Sequence, residues 1–284
     1  MQFIRKKRII YGYFQAIVSA VILGLLYYRM IIREKPTPIS WLQALTPIGF
    51  GMASTMLSFY VLIGLSVLLN ALNLTLGDVH PFVRSMYLGF LMAGGPEEIT
   101  KFAFILITVF LFRKKIRNVY EYILIGAAVG IGFTLPEELG YGEETQASLF
   151  RLMTLAGHMV YGIIMGKHLG IARYNKLNEK PRFLQYVLSL LIPILLHSLY
   201  DACTSGNLMI LSEDSALQDQ GINFGLIAVG VHFIAQFIIL YLVKKNTQKY
   251  CDMVFLEEAA EVQQTAEPKQ NIKTEETEIK DQGE

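Results

Sequence analysis

The stretch SMYLGFLMAGGPEEITKFAFILITVFLF, residues 85–112, decides the fold, because it sets two carboxylates and an ammonium inside a run otherwise apolar enough for a bilayer. A charged side chain at bilayer depth costs roughly 2.5–3.5 kcal/mol even on the lenient insertion scale, so the charges of GGPEEITK need a reason. Gly94-Gly95 is expected to break or loosen the helix. Pro96 then takes a first helical position, and Glu97 and Glu98 fall in the first turn, where the helix dipole favours negative charge. Lys101 stands one turn on from both and can neutralise one of them, which leaves one carboxylate over.

The rest of the chain belongs to the same class. Of 284 residues 53% are hydrophobic and 17% charged, with a mean hydropathy of +0.40. Seven apolar stretches are long enough to span: residues 9–32, 46–72, 85–112, 119–141, 149–172, 183–203 and 222–243. They predict an all-α, polytopic transmembrane helical bundle of about seven to eight spans, occupying residues 1–246. The first stretch follows Arg5-Lys6-Lys7-Arg8 and lacks a small-residue cleavage site, so it reads as a retained anchor. Residues 247–284 turn to Glu, Lys, Gln and Thr, with nine acids against three bases after Leu256, and read as an acidic, largely disordered cytoplasmic tail. The net charge of +1 selects no partner. No nucleic acid is expected, and the composition implies the lipid bilayer. Cys203 and Cys251 lie in different segments without CxxC spacing and read as inert.

Basic connectors at residues 113–117, 167–182 and 244–245 alternate with acidic or uncharged ones at 142–147 and 205–221. By the positive-inside rule this makes a multi-pass protein of the cell membrane with a cytoplasmic C-terminus. Seven crossings would then put Arg5 to Arg8 outside. Either Arg29, Arg33 and Lys35 prevail, or one early stretch hides an extra crossing or a re-entrant turn, with residues 46–72 and the Gly94-Gly95 break as candidates.

Further polar groups recur on the later stretches: Glu137 and Glu138 in GFTLPEELGY, His158 in RLMTLAGHMVYGIIMG, and His197 with Asp201 in LLHSLYDA. Counted from the cytoplasmic end of each helix at about 1.5 Å per residue, Glu98, Glu137, His158 and His197 all fall about 21–27 Å deep. Four antiparallel helices thus present acids and imidazoles at one level, in the outer half of a hydrocarbon core of about 30 Å. His197 and Asp201 share a helix face. His158, Gly162, Gly166 and Gly170 form a smooth stripe for close helix approach, matched by Gly126 and Gly130 below Glu137. Taken singly, each feature has a plainer reading, as a structural ion pair, an interhelical hydrogen bond or a helix end. His80, His168 and His232 read as loop or isolated helix residues without chemistry.

With these residues in view, the chain resembles the PrsW family of multi-pass intramembrane proteases, distantly similar to CAAX-processing and bacteriocin-immunity-type membrane proteases. Pro96 to Lys101 looks like the family's EExxK, and Phe133 to Tyr141 like its FxxxEN-type motif with Glu138 in the Asn position. Arg151 through His158 to Gly166 looks like the histidine-bearing third motif. His197 to Asp201 looks like HxxxN, with Asp in place of Asn. The resemblance implies a membrane-embedded peptide hydrolase whose substrate is a single-pass membrane protein cleaved near its extracytoplasmic side, with a bacterial anti-sigma factor as the family's example.

Such chemistry needs a base for water and donors or a metal for the oxyanion. The expected catalytic set is Glu97, Glu98, Glu137, His158 and His197, supported by Lys101, Asp201 and Glu138. Glu97 or Glu98 is the base, Lys101 holds the other acid ionised, Glu137 and His158 position water, and His197, oriented by Asp201, stabilises the oxyanion. In a variant, Glu98, Glu137, His158 and His197 bind Zn²⁺. Without HExxH, metal-dependent and glutamic chemistry stay open. The rivals are a transporter or proton relay, whose polar groups would run in a file to both faces, and an inactive protease-like receptor.

Overall fold

In a computed structural model of the chain, residues 2–34, 38–74, 79–141 and 148–255 are described, with the side chains of residues 2–12, 141 and 148–150 excepted. Residues 35–37, 75–78, 142–147 and those from 256 onward lie outside them. Among the described residues every element is helical. They are α1 (Gln2–Ile31), α2 (Trp41–Ala71), α3 (Pro81–Gly89), a π turn (Phe90–Gly94), α4 (Gly95–Leu111), α5 (Val119–Tyr141), α6 (Ser148–Thr154), α7 (Gly157–Leu177), α8 (Phe183–Cys203), a 3₁₀ turn (Leu208–Leu211), α9 (Ser215–Lys245) and α10 (Thr247–Asp252).

Five of these are long and apolar enough to cross a membrane, over Tyr13–Ile31, Trp41–Ala71, Val119–Gly140, Phe183–Leu211 and Ser215–Lys245. The seven to eight spans read from the sequence are generous by that measure. The physical reason is specific: residues 85–112 are divided by the π turn and carry three charges, and α7 carries Lys167, Arg173 and Lys176.

The bundle is built around α5 and α7, whose small residues let the backbones touch. A Cβ on Gly126 would collide with the Gly162 carbonyl, one on Gly130 with the His158 carbonyl, and one on Gly166 with the Tyr122 carbonyl. α2 joins α5 in the same way where Gly51 meets the backbone at Val129 and Gly132. Around these seams pack Leu124, Ala127, Ala128, Met159 and Ile163, all within 1% of full burial. Exposed Leu, Ile and Phe side chains cover α1, α2 and α9, as a lipid-facing shell requires.

Gly94-Gly95 loosens the helix without breaking it, and Glu97 and Glu98 fall in the first turn of α4. The helix runs on through the π turn, in which the Gly95 N–H reaches back to the Phe90 carbonyl. Pro96 has no N–H to continue an α ladder, and the wider turn absorbs that loss. The acids therefore lie inside a continuous helical run, and the dipole of a helix start does not account for them. Gly94, like Gly89, serves packing against α8, since a Cβ on either would strike Ser198, whereas a Cβ on Gly95 would meet the Phe90 carbonyl of the π turn.

Sidedness within the bundle is fixed by contacts. Glu34, just past α1, reaches Arg117 at 3.4 Å, and Phe255 N–H donates to the Arg117 carbonyl at 2.9 Å. Gln15, early in α1, donates to Glu138 at 2.6 Å, late in α5. The end of α1, the α4–α5 connection and the end of the described chain thus share one face, and the start of α1 lies toward the other. α1 and α2 are each one continuous helix, so neither hides an extra crossing. The chain stays ordered past residue 247: α10 forms, and Val254 pairs with Asn118 as an antiparallel bridge.

Candidate active site

The π turn and α4 bring Glu97, Glu98 and Lys101 against α8, and the glycine seam brings His158 of α7 beside Glu137 of α5. The result is one hydrogen-bonded chain across four helices. Glu137 Oε2 is 2.6 Å from His158 Nε2, and His158 Nδ1 is 2.8 Å from Lys101 Nζ. Lys101 Nζ is 2.5 Å from Glu98 Oε1, which also lies 2.6 Å from His197 Nδ1. Asp201 Oδ2 ends the chain, 3.2 Å from His197 Nε2. Glu98 and Lys101 are fully buried, and the ammonium also sits 4.0 Å from the Phe133 ring centroid.

Glu97 stands apart. Its Oε2 is buried with no hydrogen-bond partner, 3.8 Å from both Lys101 Nζ and His197 Nε2. Glu138 turns away from the imidazoles to Arg151 of α6, at 2.7 Å, and to Gln15. The expected site residues are thus brought together except Glu138, which the structure spends on tying α6 and α1 to α5. Its sequence neighbour Glu137 makes the imidazole contact.

A cavity of about 470 Å³ opens beside this chain, lined among others by Glu137, His158, Tyr161, His197, Asp201 and His232. Its lining also includes Thr134, Arg151, Thr154, Tyr200 and Thr204, from the parts of α5, α6 and α8 away from Arg117.

The sequence profile described as "PrsW family intramembrane metalloprotease" matches residues 38–243. The chain belongs to the PrsW family. It is also similar to curated proteins named "Protease PrsW": that of Halalkalibacterium halodurans is 34% identical over 126 residues, 43% of this chain and 56% of the relative. That of Bacillus subtilis is 35% identical over 121 residues, 41% of this chain and 54% of the relative. The chain therefore spans about half the length of the PrsW relatives it matches. No solved structure matches it.

Because the PrsW profile describes metalloproteases, the donor set matters. One ligand atom each from Glu97, His158 and His197 lies within 4.8 Å of the others. With its Nδ1 proton given to Glu98, His197 points a nitrogen at Glu97 Oε2 and Asp201 Oδ2 together. A lone pair facing two carboxylates, one of them orphaned, is a site that calls for a cation or a proton between them. The residues fit a divalent metal. The compact triad takes Glu97, where the sequence pointed to Glu98 and Glu137, because Glu98 Oε1 is already shared by Lys101 and His197.

Three residues at this site have no role in the sequence reading, which sets His232 aside as a residue without chemistry. Tyr161 stacks on the His197 ring at 5.1 Å, Arg151 holds both Glu138 and Glu137, and His232 of α9 lines the cavity. His232 was detectable as the one imidazole inside the apolar run 222–243, a group that costs free energy wherever it is left unused. His168, by contrast, is satisfied by Gln185 at 2.7 Å, and His80 caps α3.

Proposed function

We propose that this chain is an intramembrane endopeptidase that hydrolyses a peptide bond of a membrane-anchored protein presented at the rim formed by α6 and the α8–α9 connection. The observation that carries this reading is the orphaned Glu97 Oε2 facing His197 Nε2, with His158 in reach, beside a cavity lined by Glu137, His158 and His197.

Each residue has a task. Glu98 accepts the Nδ1 proton of His197, which fixes the tautomer and leaves Nε2 for the site. Lys101 neutralises Glu98 and donates to His158 Nδ1, so His158 presents its Nε2 proton to Glu137. Glu137, tied also to Arg151 at 3.6 Å, holds the His158 ring in place. Glu97, without such commitments, is the carboxylate free to take a proton from water. The alternative to this base role is a divalent cation, zinc by the nature of the donors, which Glu97 and His197 would hold and His158 would join on releasing Lys101 or Glu137; it would supply Lewis-acid polarisation of the scissile carbonyl. Asp201, 3.2 Å from His197 Nε2, orients the imidazole.

The relay reading needs polar groups continuing toward both faces. The polar chain here runs across the bundle at one level, and toward Arg117 the facing parts of α5 and α7 bury Ile123, Ile125, Met165 and Leu169. By the positive-inside pattern the Arg117 face is cytoplasmic, with the C-terminus, and the cavity rim extracytoplasmic. A single-pass protein cut near its outer end, of the anti-sigma-factor kind, suits that position.

The test is cleavage of a single-pass membrane substrate by the full chain in proteoliposomes. Glu97→Gln and His197→Ala should each lower the rate by about 10²-fold or more. Variants that cleave as well as the wild type would overturn the assignment, and tolerance of Glu98→Gln with no cleavage anywhere would favour the receptor reading.

A further inference from the structure

The basic groups around the cavity are already engaged by carboxylates. Lys101 is shared between Glu98 and His158, Arg151 is bound by Glu138 and Glu137, and His197 faces Glu98, Glu97 and Asp201. Hydrolysis nevertheless needs a donor aimed at the carbonyl oxygen as its charge grows. Among the lining hydroxyls, Thr134 donates to the Gly130 carbonyl, Thr204 donates to the Tyr200 carbonyl, Thr154 pairs with Tyr200, and Ser205 is exposed in the turn after α8. Tyr161 differs. Its hydroxyl lies 3.3 and 3.4 Å from the two ring nitrogens of His232, longer than the usual 2.7–2.8 Å of a hydroxyl bond and committed to neither nitrogen.

Its placement is built. Tyr161 follows His158 by three residues on the same face of α7, and its ring stacks on His197 at 5.1 Å and meets His158 edge-on at 6.0 Å. His232 is held in turn: its ring lies 4.6 Å from that of Tyr200, and Gly157 leaves it room, since a Cβ there would stand 2.7 Å from His232 Nε2. Both residues line the cavity.

We propose that Tyr161 is a further catalytic residue, whose hydroxyl donates to the scissile carbonyl oxygen, and that His232 is its positioning residue. This rests on the hydrolytic reading above. As the water oxygen bonds to the carbonyl carbon, the π pair moves to the carbonyl oxygen and the Tyr161 hydrogen bond tightens on it. The pair returns as the C–N bond breaks, the amine leaves with the proton taken from water, and Tyr161 keeps its own proton throughout. His232 accepts from the hydroxyl between turnovers and holds it over the cavity.

The test is steady-state cleavage of a single-pass substrate by the full chain in proteoliposomes, with Tyr161→Phe, His232→Ala, His232→Gln and the double variant Y161F/H232A. Tyr161→Phe should lower kcat by about 10²-fold with KM changed less than about twofold, as the loss of one oxyanion donor does. His232→Ala should lose about tenfold, His232→Gln should recover most of that because the amide keeps a partner for the hydroxyl, and the double variant should be no slower than Tyr161→Phe alone. A Tyr161→Phe rate within twofold of wild type, a loss confined to KM, or additive losses would overturn the pair while leaving the hydrolase reading intact. A wild type that cleaves nothing would overturn both. If Tyr161→Phe does not fold, equal losses in His232→Ala and His232→Gln would sink the proposal.

Discussion

Lys101 Nζ lies 2.8 Å from His158 Nδ1, although the two residues are 57 positions apart and sit on different helices. The same ammonium touches Glu98 at 2.5 Å, so one buried cation couples the acidic motif of α4 to the imidazole of α7. The spacing of Glu98 and Lys101 alone would have made a local ion pair, and it is the third contact that makes Lys101 the hinge of the site.

Lys101→Met should therefore act twice. It leaves Glu98 buried without its ammonium, an error that typically costs about 3–5 kcal/mol of stability. It also releases His158 Nδ1, and a misplacement of that kind costs roughly 10²-fold in rate. Thermal unfolding in detergent and cleavage in proteoliposomes measure the two effects. Lys101→Arg should not rescue, because the planar guanidinium cannot replace a compact ammonium 4.0 Å from the Phe133 ring centroid.

The α5–α7 seam predicts a sharp contrast among glycines. Gly126→Ala would press a methyl into the Gly162 carbonyl and force the helices that carry Glu137 and His158 apart, whereas nothing lies within 4 Å of a Cβ on Gly230 of α9. Gly126→Ala should destabilise by about 1–3 kcal/mol through overpacking and reduce cleavage, with Gly230→Ala close to neutral. A denaturation series on both variants checks this, and equal effects would contradict the close approach.

Much of this was legible in the sequence, for a physical reason: charge inside an apolar run is rare and costly, so Glu97, Glu98, Glu137, His158 and His197 announced themselves by depth alone. The glycine stripe was readable because spacing by four has only one use on a packed helix. What pattern could not give was which of two adjacent acids faces inward. Glu98 rather than Glu97 takes His197 and Lys101, and Glu137 rather than Glu138 takes His158, because helix rotation about the seams decides it. The Gly94-Gly95 pair loosens the helix into a π turn, as its missing Cβ atoms allow, but pattern did not show that Gly94 also packs against Ser198. Tyr161 was hidden because a tyrosine in an apolar stretch reads as core.

At the opposite end of the bundle, Glu34 is almost wholly buried and takes the Ile39 N–H at 2.7 Å, with Arg117 at 3.4 Å. Burial, and next the nearby Glu121 carboxylate, push its pKa up to about 8, against lowering by Asn118 and Arg117. The folded state therefore binds a proton that the unfolded state, with an ordinary carboxyl near 4.5, has already released at neutral pH. Stability from this group is full below the unfolded value and falls as pH rises through about 8. The melting temperature of the wild type should decline between those limits, and Glu34→Gln should flatten the decline. A Glu34→Gln curve parallel to wild type would remove Glu34 as the source.

Metal content separates the two chemistries the donor set allows. The triad predicts about one divalent ion per chain in protein purified without chelator, lost in Glu97→Gln, His158→Ala and His197→Ala. Glu98→Gln should bind more weakly, by roughly 10–100-fold, because Glu98 only orients His197 from behind. Glu138→Gln should keep its metal, because Glu138 is held by Arg151 and Gln15 outside the triad. Mass spectrometry of the metal in the five variants gives this order directly. If retention follows Glu98 instead of Glu97, the orphaned oxygen of Glu97 is not a ligand. If the wild type carries no metal and still cleaves, the proton between Glu97 and His197 is the working group, and the Glu97→Gln rate alone then decides whether that carboxylate is the base.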